Sequence, residues 1–114
     1  MKTLKFTLYG KQKEVYFVLD TYAISGDLAI LAYNIDENGY DDYYGDVSKA
    51  LQFGRINGDD EFYADTNNSS SLIEEMLKQG LIKDTDESCS SGFCVYPKMK
   101  LTKKFKEYVK ENED

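Results

Sequence analysis

The sequence predicts an α+β fold in which a mainly antiparallel β-sheet of about five or six strands is covered by two short helices. Apolar and polar residues alternate through the first twenty positions, which is typical of half-buried strands. Two later segments, about residues 72–79 and 102–111, carry apolar residues at helical spacing. Neither a repeat nor a linker rich in Pro, Gly or Ser divides the 114 residues, so we expect one domain over residues 1–114 with a frayed tail at 110–114.

The first half of the chain reads as strands. A hairpin is expected around Gly10-Lys11-Gln12, because apolar residues alternate on both sides of it: Leu4, Phe6 and Leu8, then Val15, Phe17 and Leu19. The run from Asp27 to Tyr33 predicts a third strand. The six phenylalanines, at 6, 17, 53, 62, 93 and 105, are expected in the core.

Residues 34–47, NIDENGYDDYYGDV, are favoured as a polar connection between apolar strands, since Asn38-Gly39 is a turn signal. Val47, Leu51 and Phe53 follow as candidate core residues, with strand favoured over helix. The dipeptide Asn57-Gly58 predicts a second hairpin, whose returning strand is 61–64.

The first helix is predicted at about 72–79. Ser71 and Glu74 fit a capping box, and Gly80 can adopt the left-handed conformation that lets Leu81 fold back on Met76. Phe93, Val95 and Tyr96 indicate a strand ended by Pro97. Thr102 is expected to cap the second helix, whose apolar face comprises Leu101, Phe105, Tyr108 and Val109.

The charge of the chain is unevenly distributed. The net charge of −7 divides into −10 for residues 34–87 (14 acidic against 4 basic) and +3 for the rest (7 acidic against 10 basic). Such a field repels nucleic-acid phosphates and membrane surfaces, so direct binding to either is disfavoured and a basic protein partner is favoured. The first fifteen residues contain no apolar run of signal-peptide length, and no stretch approaches the length of a membrane span, so the cytoplasm is the expected location.

The acidic stretch also carries three tyrosines, which are enriched at interfaces but can equally cap a sheet. We place the hypothetical partner-binding surface on Asp36, Glu37, Tyr40, Asp41, Asp42, Tyr43, Tyr44, Asp46, Asp59, Asp60 and Glu61. A calcium site is the weaker alternative, with Asn34, Asp36, Asn38 and Asp42 at the ligand spacing of a twelve-residue loop. Gly45 occupies the position of the bidentate glutamate, which argues against calcium.

The residue inventory favours a protein that is not an enzyme and has no cofactor. The chain has no histidine, the commonest general acid or base, and no glycine-rich phosphate loop. Cys89 and Cys94 are expected to be free thiols, although their spacing across a Ser-Ser-Gly turn permits a bridge in an oxidising compartment. The oligomeric state is left open.

Residues 62–68 (FYADTNN) and 80–97 (GLIKDTDESCSSGFCVYP) carry a resemblance. The matched positions are Asp65, Asn67, Asn68, Gly80, Leu81, Ser91, Gly92, Phe93, Tyr96 and Pro97. Over about a third of its length the chain resembles a family of small bacterial proteins of unknown function from gut Firmicutes and their mobile elements. The family has no assigned active site, so the resemblance implies no catalytic residue. Asp65, Asn67 and Asn68 also fit a turn into the helix, and Gly92 fits a tight bend.

These observations lead to one functional hypothesis. A small acidic domain with surface tyrosines and no catalytic groups can occupy the basic nucleic-acid channel of another protein. With the resemblance to proteins of mobile elements, this suggests an inhibitor of the antirestriction or anti-CRISPR type. A calcium-binding module and a purely structural or interaction module are the alternatives.

Overall fold

The structure, a computed structural model, describes residues 2–23, 26–35, 41–51, 58 and 60–112, with side chains to residue 109. Its elements are β1 (Leu4–Leu8), β2 (Lys11–Thr21), β3 (Leu28–Ile35), β4 (Asp41–Asp46), β5 (Ser48–Lys49), β6 (Glu61–Ala64), α1 (Ser70–Lys78), β7 (Ile82–Ser91), β8 (Cys94–Leu101) and α2 (Lys103–Asn112). The α+β class with antiparallel pairing is confirmed. The strands form two four-stranded sheets, and not the one sheet of five or six strands that the sequence suggested.

The first sheet has the order β1-β2-β3-β4, with every neighbour antiparallel. The predicted first hairpin is confirmed, but its turn is Tyr9-Gly10 and not Gly10-Lys11-Gln12. Both residues have positive φ (50° and 79°), as a two-residue type I′ turn requires, and Leu8 pairs directly with Lys11. Leu4, Phe6, Val15 and Phe17 are buried as expected.

The interpretation of residues 34–47 as one polar connection is wrong, because residues 41–46 form strand β4 and pair with β3. A β-bulge makes the pairing irregular: Tyr33 pairs with Tyr43 and Ala32 with Gly45, so Tyr44 is the extra residue. The two tyrosines favour a strand conformation, and pairing with β3 overrides the acidic composition. The turn signal Asn38-Gly39 lies outside the described residues.

The second sheet has the order β5-β6-β8-β7. Strand β6 coincides with the predicted 61–64, but β7 was not predicted, because its sequence IKDTDESCSS is almost wholly polar. Proline does not end β8: Pro97 lies inside it opposite Ser88, and the pairing of β6 with β8 reaches only Lys98. Within the described chain, β6 does not pair with Pro97 and so requires no amide donor from it.

The turn between β7 and β8 and the segment before β6 each carried predictions from the sequence. Phe93 is fully exposed in the two-residue turn between β7 and β8 and is not a core residue. Gly92, with φ 62°, takes the tight bend there, as predicted. Asn57 lies outside the described residues, so the hairpin predicted at Asn57-Gly58 stays a prediction. Phe53 lies outside the described residues.

Helix α1 begins earlier than predicted. Its N-cap residue is Ser69 and not Ser71, and no side chain caps it, because the Ser69 hydroxyl donates instead to the carbonyl of Asp46 at 2.8 Å. The C-terminal prediction is confirmed. Gly80 has φ 74°, its amide donates to Leu77 at 3.1 Å, and the amide of Leu81 donates to Met76 at 2.9 Å, which together form a Schellman motif.

Helix α2 is confirmed with its cap, since the Thr102 hydroxyl accepts a hydrogen bond from the Phe105 amide at 3.3 Å. Phe105 packs edge-on against Phe17 of β2, with ring centroids 5.2 Å apart. A cluster of buried side chains from both helices and both sheets forms the core. Neither α1 nor α2 is long and apolar enough to cross a membrane.

Candidate functional site

Three tyrosines form a row of rings across β2, β3 and β4. Tyr16 and Tyr33 are cross-strand partners whose rings stack with centroids 5.4 Å apart. Tyr33 and Tyr43 are also partners and meet edge to face at 5.8 Å. Strand neighbours point to opposite faces, and Val15, Phe17 and Ala32 are buried, so the row lies on the outer face of the first sheet. We call Tyr16, Tyr33 and Tyr43 the tyrosine row.

Two carboxylates flank this row. Asp41 accepts a hydrogen bond from the Tyr16 hydroxyl at 3.1 Å, and Asp46 accepts one from the Tyr43 hydroxyl at 2.5 Å. Among the described residues, the ion pairs between side chains involve Asp60 and Glu87, and none involves Asp41 or Asp46. We call the tyrosine row together with Asp41 and Asp46 the β4 face.

The hydroxyls of Tyr16 and Tyr43 stay protonated at neutral pH. Loss of hydration raises the pKa of Tyr43 to about 12, and its hydrogen bond to Asp46 acts in the same direction. Loss of hydration also raises the pKa of Tyr16, and Asp41 adds to the effect. At neutral pH both hydroxyls therefore remain donors that orient the carboxylates.

Adjacent tyrosines of β4 have different surroundings. Tyr43 is 56% exposed on the outer face, whereas Tyr44 is half-buried and packs edge-on against Phe6 with ring centroids 5.5 Å apart. The sequence left core and recognition roles equally open for these tyrosines. The structure places Tyr44 against the core and Tyr43 on the surface.

A concave pocket with a volume of about 600 Å³ adjoins Tyr43 and Asp46. Its lining also includes Lys49 and Asp65. Asp65 is buried, and its carboxylate accepts hydrogen bonds from the amide and the side chain of Asn68 at 3.3 and 3.1 Å. The hydroxyls of Tyr22 and Ser48 are hydrogen-bonded to each other in its wall at 2.8 Å. The lining therefore combines two carboxylates and several hydroxyls with one lysine, which leaves an excess of negative charge.

Sequence reasoning did not include Asp65 or Tyr22 among the site residues. Asp65 was predicted to shape the turn into α1, and its bonds to Asn68 show that it does so. Its place beside Asp46 follows from the pairing of Ser48 with Ala64, which is a long-range contact. No local pattern around either residue signals this proximity.

Two of the predicted acids, Asp60 and Glu61, lie apart from the β4 face. Asp60 is 3.3 Å from the Lys106 ammonium of α2 and 3.9 Å from that of Lys100. Glu61 is the first residue of β6. The last residue of β6, Ala64, pairs with Ser48 and so lies beside the junction of β4 and β5, three residues or about 10 Å from Glu61. Asp42 is exposed in β4. Asp36, Glu37, Tyr40 and Asp59 are outside the described residues.

The described residues of the proposed calcium loop have a different geometry from the one that a calcium site needs. Asn34 and Asp42, the first and ninth positions of the twelve-residue window, are cross-strand partners in the ladder of β3 and β4, so both are held in strands. Asp36 and Asn38 are outside the described residues. Within the described part of the chain, no group of three or more acidic or cysteine residues is arranged to hold a metal ion.

Cys89 and Cys94 are free thiols, as predicted. They are not directly opposite in the hairpin of β7 and β8, because Cys89 pairs with Tyr96 and Cys94 with Ser91. That arrangement makes them diagonal neighbours, typically about 7–8 Å apart, which exceeds the usual distance across a disulfide.

Comparison of the chain with protein-family models, with curated proteins and with solved structures gives no match.

Proposed function

We propose that the protein is a non-enzymatic cytoplasmic binding protein whose β4 face receives basic side chains of a partner protein. The observation that carries this proposal is the tyrosine row flanked by Asp41 and Asp46, neither of which has an ion-pair partner among the described residues.

The chemistry of the face favours arginine. A guanidinium can stack on a tyrosine ring and simultaneously donate two hydrogen bonds to a carboxylate, which combines cation–π attraction with a charge-assisted pair. The β4 face offers both partners side by side, at Tyr16 with Asp41 and at Tyr43 with Asp46. The adjoining pocket, with Asp65, supplies space for a further cationic side chain.

The narrower form of the proposal is an inhibitor that occupies the nucleic-acid channel of its partner, in the manner of antirestriction or anti-CRISPR proteins. The negative charge that repels nucleic-acid phosphates attracts the positive charge of a channel that binds those phosphates. The acids of the second sheet contribute less to this imitation, because Asp60 lies beside Lys100 and Lys106. The resemblance to proteins of bacterial mobile elements supports the same narrower form.

The first experiment tests the face with a defined probe. Calorimetry should show that an oligoarginine peptide binds more tightly than oligolysine and that oligoglutamate does not bind, with an affinity that falls as salt rises. A Tyr43→Ala/Asp46→Asn double variant should lose most of this binding. Asp60→Asn is the matched control, since it also removes one carboxylate and should bind nearly as the wild type. Equal loss in both variants would reject the β4 face as the site.

The second experiment tests inhibition. Proteins captured from bacterial lysate by the wild type but not by the double variant are identified by mass spectrometry, and their binding to DNA or RNA is measured. Added wild-type protein should displace the nucleic acid, and the double variant should not. If arginine peptides bind the β4 face but no captured protein loses nucleic acid, the inhibitor form fails and the basic-partner form remains.

A further inference from the structure

A second recognition feature lies at the opposite edge of the first sheet. Strand β1 is the edge strand there, and a groove with a volume of about 480 Å³ separates it from α1. Lys5, Phe6 and Thr7 of β1 and Gln12 of β2 line one side, and one face of α1 forms the wall: Ser71, Glu74, Glu75 and Lys78. These wall positions recur at i, i+3, i+4 and i+7, the spacing of a single helical face.

The backbone of β1 directs hydrogen-bonding groups into this groove. A two-residue hairpin closes on a hydrogen-bonded pair, here Leu8 with Lys11, and such pairs then alternate along the ladder. Lys5 and Thr7 occupy the alternate positions, opposite Glu14 and Gln12, so their amides and carbonyls point away from β2. In the described part of the chain no strand pairs with this edge.

The charges on the helical wall specify a pattern. Glu74 and Lys78 are four residues apart, which is about 6 Å along the helix, and no ion pair joins them among the described residues. Alternate residues of an extended strand are about 6.7 Å apart and point the same way. A strand lying beside α1 with a basic and an acidic residue two positions apart would therefore match Glu74 and Lys78 together.

We propose that this groove binds an extended peptide segment of another protein by strand addition. The segment pairs with the backbone of Lys5 and Thr7 and places its basic side chain against Glu74 and its acidic side chain against Lys78. Strand addition obtains affinity from main-chain hydrogen bonds and specificity from alternate side chains, which are the two features that the groove provides. This site is separate from the β4 face and does not depend on the function proposed for it.

The probe is a capped pentapeptide with the sequence Thr-Lys-Val-Glu-Thr, or its reverse, Thr-Glu-Val-Lys-Thr, since either strand direction is possible. The matched control, Thr-Lys-Glu-Val-Thr, has the same composition but its two charges point to opposite faces. In ¹⁵N spectra of the labelled protein, the amides of Lys5 and Thr7 should shift and exchange more slowly with one of the probes. That probe should bind about fivefold more tightly than the control, as two exposed ion pairs allow.

Thr7→Pro tests the backbone contact. It removes an amide that points into the groove without removing a bond between β1 and β2, so the fold should persist and binding should be lost. Thr7→Val retains the amide and should bind as the wild type. A probe methylated at the backbone nitrogens on its pairing side tests the same contact without altering the protein, and it should not bind.

Three results would overturn the proposal. The first is binding of the probe to Thr7→Pro as tightly as to the wild type. The second is a set of shifts confined to residues outside β1 and α1. The third is concentration-dependent self-association that Thr7→Pro abolishes while neither peptide binds, which would make a second copy of the chain the occupant of this edge.

Discussion

Carboxylates on the two sheets differ in what surrounds them. On the outer face of the first sheet, Asp41 and Asp46 accept hydrogen bonds from tyrosine hydroxyls. At the second sheet, Asp60 and Glu87 lie beside lysine ammonium groups, with Glu87 3.4 Å from Lys98. A carboxylate with a lysine partner is already partly neutralised, whereas one held by a neutral hydroxyl retains its attraction for an external cation. Local partners, and not the net charge, therefore distinguish a binding surface from a structural one.

We expect the outer face of β4 to contribute little to stability. The adjacent Tyr43 and Tyr44 test this expectation, and the effect should be the largest of those predicted. Tyr44→Ala should lower the free energy of unfolding by about 2–3 kcal/mol, because it removes a half-buried ring packed against Phe6. Tyr43→Ala should lower it by less than about 1 kcal/mol, because that ring is 56% exposed.

Urea unfolding followed by circular dichroism measures both values, and arginine-peptide binding is measured on the same samples. Tyr44→Ala should retain binding wherever it is folded, and Tyr43→Ala should weaken it. A reversal, with Tyr43 important for stability and Tyr44 for binding, would contradict the assignment of the two faces.

The division between these tyrosines shows how far the sequence could predict the site. Residues from Asp41 to Asp46 could be named as candidates from the sequence, because tyrosine with aspartate is a recognisable composition. Which tyrosine faces outward depends on the bulge at Tyr44 and on the register with β3. Register is a non-local property, so no pattern within residues 34–47 specifies it.

Elements of the fold were predictable where local signals agreed. The positive φ at Gly80, the Thr102 cap and the alternation around Phe17 are local features, and each prediction based on them is confirmed. Strand β7 was missed because a polar edge strand has no apolar alternation, and it is held by its long hairpin with β8. Tyr16 and Tyr33 joined the site only through cross-strand pairing, which links residues seventeen positions apart.

The pair on the second sheet should have a structural role that the carboxylates of the β4 face lack. Lys98 is almost completely buried, so Glu87→Gln leaves a buried ammonium without its carboxylate and should lower the free energy of unfolding by about 1–2 kcal/mol. The Glu87 side chain is 61% exposed, which keeps the cost below that of a fully buried pair. Asp41→Asn should change the free energy by less than about 0.5 kcal/mol.

A double variant separates the charge from the packing. Lys98→Met keeps the length of the side chain and removes the ammonium, so in the Glu87→Gln background it should recover most of the loss. Failure to recover would mean that Glu87 stabilises the hairpin by some contact other than its pairing with Lys98.

Loss of hydration is the main cause of a pKa of about 12 in both Tyr43 and Tyr108, but the two hydroxyls differ in their hydrogen bonds. The Tyr108 hydroxyl is buried with no hydrogen-bond partner among the described residues, and loss of hydration is the main cause of its raised pKa. The Tyr43 hydroxyl has Asp46 as its acceptor. Tyr108→Phe should therefore raise the free energy of unfolding at pH 7 by about 1 kcal/mol, whereas Tyr43→Phe should not raise it.

The pH dependence has a definite sign. The folded pKa of Tyr108 is raised above the unfolded value of 10.0, so unfolding releases a proton from this residue between about pH 10 and 12. The contribution of this pKa difference to the free energy of unfolding is therefore fully present below pH 10 and is lost as the pH rises through about 12. Urea melts at pH 9, 10.5 and 11.5 should show a shallower decline for Tyr108→Phe than for the wild type. An unchanged decline would mean that Tyr108 ionises in the folded state as readily as in the unfolded state.

The smallest expected effect concerns repulsion within β4. Asp42 is exposed, next to Asp41 and on the same strand as Asp46, and the ion pairs of the described residues do not include it. Asp42→Asn should raise the free energy of unfolding by a few tenths of a kcal/mol at low salt, and the gain should disappear near 1 M salt, where the screening length is about 3 Å. Asp60→Asn should have the opposite sign at low salt, because it removes a partner of Lys100 and Lys106. Paired thermal melts of the two variants at low and high salt measure the difference. If both variants destabilise equally, the carboxylates of the two sheets are in equivalent surroundings, and the β4 face has no excess negative field with which to attract a basic partner.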